Sequence, residues 1–160
     1  MKPITQKLWV FMAMLCTLIS ASSYDFEVDG IYYNISSEAN KEVSVTFKEK
    51  YRASYSGVVN IPASVSYNGD TYSVTTIGDY AFEDCSNLHS VTIPNSVTTI
   101  GKSAFEDCSN LHSVTIPNSV TTIKELAFYK CTNMCSITIG SGVEKICLLY
   151  TSPSPRDRTR

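Results

Sequence analysis

The sequence predicts a mainly β solenoid, wound from short strands and turns, with a β-hairpin cap at its amino end. Three observations carry that prediction. A 23-residue unit is written three times: Gly78 to Ile100, Gly101 to Ile123 with changes only at Asp79/Lys102 and Tyr80/Ser103, and Lys124 to Ile146, which keeps the apolar skeleton and changes the polar positions. A fixed period of this size marks a chain coiled into stacked turns, none of which folds alone. The apolar columns Ala81/Ala104/Ala127, Phe82/Phe105/Phe128 and Ile93/Ile116/Ile139 never change class. Upstream, apolar–polar alternation with Asp-Gly and Asn-Gly signals reads as hairpins.

Taken in order, the chain begins with a segment that does not belong to the fold. Lys2 and Lys7 precede an apolar run, Leu8 to Ile19, and small residues follow from Ser20 to Ser23. That order reads as a secretory signal peptide over 1–23, the run being short for a bilayer span, so no membrane span is expected after cleavage. Lipidation at Cys16 is disfavoured by Leu15 where a small residue is wanted.

Residues 24–57 are expected to form the cap. Asp25–Val28 and Ile31–Ile35 flank Asp29-Gly30, and Glu42–Phe47 alternates as a further strand. An array of stacked turns needs such an end piece over its first turn. Phe26, Tyr32, Tyr33, Tyr51 and Tyr55 are read as cap core and rim rather than as a carbohydrate platform. The solenoid is expected over 58–146. Val58 to Ile61, ending at Pro62, repeats the strand ending at Pro94 and makes the first rung. A second hairpin at Asn68-Gly69 lengthens this first unit, and Val74 to Ile77 then matches Val97 to Ile100.

Within a repeat, Val91 and Ile93 face inward and Ser90 and Thr92 outward, by the period of two. Pro94 ends the strand because it has no amide to donate. Asn95-Ser96 turns the chain, and Val97 to Ile100 is a second extended run. Ala81 to Cys85 is read as one turn of helix, closed by Asn87. Every apolar column is expected to be buried on its own copies, at roughly 1.5–3 kcal/mol per large side chain.

The spacing Leu88-x-x-Val91-x-Ile93 is the leucine-rich-repeat strand pattern. The longer string IPNSVTTIG-x-x-AFEDCSNLHSVTIP resembles the BspA-like leucine-rich repeats, across Val58 to Ile146. The resemblance implies a leucine-rich-repeat solenoid in a secreted or cell-surface protein. It also implies adhesion to host matrix proteins or to other cells, and no catalytic residues in the repeats. Beyond Ile146 the pattern stops. Residues 147–160, rich in Pro, Ser and Arg, are read as a disordered tail foreign to a truncated array, with a basic partner-binding tail as the lesser alternative.

Charge and chemistry narrow the function. Residues 24–146 hold 8 Lys and Arg against 14 Asp and Glu, which argues against nucleic acid, whose binders carry a basic footprint. Cys85, Cys108 and Cys131 form one inward column. Buried free thiols are preferred there to a disulfide, because stacked side chains run parallel rather than facing. The repeated spacing Cys85-x3-His89, Cys108-x3-His112 and Cys131-x3-Cys135 does not converge four ligands on one zinc ion, since the Cys column points in and the His column out. His89 and His112 are the only histidines and recur as ladder positions, unlike a single catalytic base. No phosphate loop, dinucleotide fingerprint or calcium loop occurs, so no enzyme, cofactor or metal is expected.

What remains is surface. Ser90, Thr92, Ser113, Thr115, Ser136 and Thr138 are expected to form a strip of hydroxyls on the strand face, flanked by His89 and His112. Solenoids bind along such extended faces. Thr98, Thr99, Thr121 and Thr122 form a second strip. The predicted function is non-catalytic binding of protein ligands at the cell surface. The alternative is a structural spacer or accessory segment of a longer protein.

Overall fold

The computed structural model describes residues 23–49 and 53–147. The expected leader lies outside the described residues apart from Ser23, as does the tail apart from Cys147; Tyr51 lies outside them too. Twelve strands follow in order: β1 (Phe26–Val28), β2 (Ile31–Ser37), β3 (Glu42–Thr46), β4 (Gly57–Asn60), β5 (Ser64–Tyr67), β6 (Asp70–Ile77), β7 (Leu88–Thr92), β8 (Thr99–Ile100), β9 (Ser113–Ile116), β10 (Thr122–Ile123), β11 (Ser136–Ile139) and β12 (Lys145–Ile146). No described helix is long and apolar enough to cross a membrane.

The strands form two sheets, one on each face of the coil. One sheet is purely parallel, in the order β11-β9-β7-β4. It stacks equivalent residues of successive units, as Ser90 on Ser113 on Ser136 and Val91 on Val114 on Ile137. The other runs β1-β2-β3-β6-β8-β10-β12, with β5 paired to β6. A shift of one repeat maps each rung onto the next, so a period of 23 in sequence becomes a ladder in space.

At the amino end both two-residue hairpins form. Asp29-Gly30 joins β1 to β2 and Asn68-Gly69 joins β5 to β6. All four turn residues have positive φ, as a type I′ turn requires, which suits Asp, Asn and Gly at those places. β3 then pairs parallel with β6 and carries the antiparallel hairpin into the ladder. Val59 pairs with Val91, so the segment ending at Pro62 is the first rung of the parallel sheet.

Aromatic rings form a spine inside the coil. Tyr55 lies 4.5 Å from Phe82, Phe82 stacks on Phe105 at 4.9 Å, and Phe105 on Phe128 at 5.2 Å. Tyr55 starts the spine because its hydroxyl is anchored: it donates to the Thr46 carbonyl and accepts from the Tyr32 amide. Phe26, Tyr32, Tyr33 and Tyr55 are all buried, so they pack as core.

The segment read as a helical turn is not one. Tyr80, Phe82 and Asp84 donate their amides to Lys102, Ala104 and Glu106 of the next rung, while Ala81, Glu83 and Cys85 donate three residues back. Tyr80 and Asp84 also take positive φ. A helix spends every interior amide on its own axis. Here alternate amides serve the neighbouring rung, and the result is a stack of tight turns. Asn87 therefore caps nothing, and its carbonyl accepts from Gly57 of the preceding rung. The second extended run is also shorter than expected, with only Thr99 and Ile100 in strand. Gly101 is needed at the turn entry because a Cβ there would lie 2.6 Å from the Asp79 amide nitrogen.

The columns are buried in the first two repeats, whereas in the third Ala127 stays buried but Ile137, Ile139 and Ile146 are exposed. No described residue stacks on their outer side.

Candidate functional site

The parallel sheet presents the predicted strip. Pleating turns Val91 and Val114 inward and Thr92, Ser113 and Thr115 outward, as the strand period demands. Thr92, Ser113, Thr115, Ser136 and Thr138 are exposed and Ser90 is half-buried. Register places Ser90, Ser113 and Ser136 in one column and Thr92, Thr115 and Thr138 in the next. His89 and His112 flank the strip, exposed, with rings nearly parallel and centroids 6.4 Å apart. In the third rung Cys135 takes the histidine position and is exposed.

The strip borders a groove of about 620 Å³, floored by Ser90, Thr92, Ser113, Thr115 and Thr138 and edged by Asn95 and Asn118 from the turns after the strands. Asn95 was read only as a turn former, and Asn118 is its copy one repeat on. Asn60 was also missed. It pairs with Thr92 in the ladder and accepts the Thr92 hydroxyl at 2.9 Å. The matching string from Val59 to Pro62 was the signal that placed it in the threonine column. Among the described residues, the hydroxyls of Ser113, Thr115, Ser136 and Thr138 make no hydrogen bond, which leaves them available to a partner.

The second strip differs. Thr98 donates its hydroxyl to the Thr75 carbonyl at 3.2 Å, and Thr121 donates to the Thr98 carbonyl at 3.3 Å. These hydroxyls brace the backbone of adjacent rungs. The two strips are thus chemically alike in sequence and unlike in use.

The cysteine column is internal. Cys85, Cys108 and Cys131 are free thiols, the first two buried and the third half-buried. Cys108 donates to the Phe82 carbonyl and Cys131 to the Phe105 carbonyl, at 3.0 and 3.1 Å. A small weak donor fits a site that is apolar except for one carbonyl. Burial pushes the Cys85 and Cys108 thiols above their ordinary range and holds Cys131 at about 12. They are therefore protonated at neutral pH and poor nucleophiles. The His columns lie outside and the Cys column inside, and among the described residues no cluster of three metal-ligating side chains occurs.

Comparison with known proteins agrees with this geometry. The profile of the BspA type leucine rich repeat region matches residues 59–148, in six copies. A leucine-rich repeat protein from Bacteroides ovatus is similar at 37% identity and a TM-score of 0.67, over 75% of this chain and 30% of its own. One from Bacteroides capillosus is similar at 36% identity and a TM-score of 0.65, over 75% of this chain and 85% of its own. The T. pallidum leucine rich repeat protein shares the fold at 23% identity and a TM-score of 0.60, over 74% of this chain and 51% of its own. No curated protein sequence matches. The chain thus spans about a third of the first of these structures.

Proposed function

This chain belongs to the BspA-type leucine-rich-repeat family, and from that premise we propose that it is a non-catalytic, secreted or cell-surface module that binds protein ligands along its parallel sheet. The observation that carries the reading is the set of unengaged hydroxyls on Ser113, Thr115, Ser136 and Thr138 along the groove edged by Asn95 and Asn118. Such a face offers donors and acceptors at ladder spacing and almost no charge. That suits broad, weak, additive contact with another protein rather than capture of a small ion. The partner class is a host matrix or cell-surface protein, and adhesion is the activity. The leader over 1–23 directs export, the cap over 24–57 covers the first rung, and the strip from Ser90 to Thr138 with His89 and His112 makes the contact.

The test is adhesion of the purified chain to surfaces coated with extracellular-matrix extract. The variant Thr92→Arg/Thr115→Arg/Thr138→Arg places bulk and charge across the groove without touching the core. Adhesion that falls at least tenfold while thermal unfolding is unchanged supports the reading. Unchanged adhesion by the folded triple variant removes the strip as the binding face.

A further inference from the structure

The two sheets end unequally at the amino side. One continues past β6 through β3, β2 and β1, whereas the other stops at β4. Beside β4 this leaves a slot of about 700 Å³, bounded on the far side by the β1–β2 turn and by β5. No residue of β7 lines it, so it lies along the edge of β4 that pairs with nothing described.

That edge is equipped for pairing. Ile61 donates its amide to Thr92, on the β7 side. By the two-residue repeat of a strand, the main-chain groups of Val58 and Asn60 point the other way, into the slot. Val58 is 65% exposed there, the most exposed large apolar side chain among the described residues.

A second, independent feature marks the slot. Tyr33 lines it and is fully buried, yet its hydroxyl has no hydrogen-bond partner. Such an orphan is costly and rare in a finished core. Asp29, at the slot's rim, makes no ion pair with the described residues. Burial first, and the Asp29 charge second, raise the Tyr33 pKa, so the hydroxyl stays protonated as a donor.

We propose that this slot receives an extended polypeptide strand from a partner protein, which adds to the free edge of β4 and offers a carbonyl, hydroxyl or amide oxygen to Tyr33. The occupant is a strand because the open edge is continuous with the β4–β7 ladder and repeats its main-chain spacing. A basic residue at the end of that strand meets Asp29. This site lies apart from the hydroxyl strip and can act whether or not the strip binds.

The probe is a synthetic peptide with the sequence of Leu88 to Pro94, which is the strand β4 already pairs with on its other edge. Titrated into the full chain and followed by NMR, it is expected to shift the amides of Val58, Asn60 and Asp29 saturably. Two N-methylated forms, alternate in phase, should differ, one losing at least tenfold in affinity and the other binding as before. Tyr33→Phe should weaken the unmodified peptide by about 2- to 10-fold, the value of one neutral hydrogen bond. The same substitution should leave unfolding of the free chain unchanged or raise its midpoint. Shifts confined to β11, equal affinity of the two methylated forms, or a Tyr33→Phe chain that unfolds more readily would each overturn the proposal. So would concentration-dependent shifts at β4 without peptide, which would place a second copy in the slot.

Discussion

The first and third repeats have the same apolar columns and opposite fates. Val91 and Ile93 are 5% and 7% exposed, whereas Ile137 and Ile139 in the same columns are 41% and 45% exposed. Ile100 is fully buried and Ile146 is 44% exposed. Residue type does not explain this, since isoleucine is at least as apolar as valine. The neighbour does. The first repeat lies between β4 and the second repeat, while the third has a described neighbour on one side only. Burial in a stacked coil is thus a property of the interface between rungs, and a rung's stability depends on what covers it.

The largest test of that comparison is on the aromatic spine. Phe105 is fully buried between Phe82 and Phe128, whereas Phe128 has one ring neighbour among the described residues. Phe105→Ala should cost about 3–5 kcal/mol in urea unfolding, the range for a buried phenylalanine. Phe128→Ala should cost less than half as much. Equal costs would mean that the third rung is as well covered as the second.

The aliphatic ladder gives a smaller contrast. Ile93→Ala should cost about 2–4 kcal/mol and Ile139→Ala about 1 kcal/mol or less. Native-state hydrogen exchange reads the same gradient without mutation. The amides of β9 should outlast those of β11 and β12 by at least tenfold, because the rung covered on one side opens by itself.

Chemical probing sharpens the comparison further. Exposed Cys135 and Cys147 should react with a thiol reagent at pH 8, while Cys85 and Cys108 should resist until the chain is unfolded. Cys131 adds a pH dependence. Its folded pKa is about 12 against an ordinary 9.0, because burial disfavours the thiolate. The unfolded chain therefore releases this proton first. The contribution to stability is complete below pH 9 and is lost as pH rises from about 9 to about 12. In urea titrations Cys131→Ala should show a shallower loss across that window than the parent.

The smallest effects belong to the ion pairs between rungs. Lys102 meets Glu125 at 2.6 Å and Lys130 meets Asp107 at 3.1 Å, all partly exposed. Lys102→Ala should barely move the unfolding midpoint, with less effect as salt is raised. A larger change would show that charge, and not apolar stacking, carries the contact between these rungs.

Much of this architecture was legible in the residues. The period fixed the rung length, Pro62 and Pro94 marked equivalent strand ends, and Asp29-Gly30 and Asn68-Gly69 marked both hairpins. The outward hydroxyls followed from the strand period, and the inward cysteines from their constant column. The turn from Ala81 to Cys85 was misjudged because a run of five residues carries no sign that alternate amides will be claimed by a chain 22 residues away. Asn60 was missed because its role needs Thr92 beside it, 32 residues on.

Sequence alone therefore determined what repeats: the rung and its inward columns, both of which are periodic. Tertiary structure alone decided what each copy does. It buried one set of isoleucines and exposed another, spent the hydroxyls of Thr98 and Thr121 on carbonyls while leaving those of Thr115 and Thr138 open, and ended one sheet at β4 beside an unpartnered Tyr33 while the other ran on through β3, β2 and β1. Identical residues diverge in this way because burial and hydrogen bonding are relations between neighbours, and a repeated sequence does not repeat its neighbours at its ends.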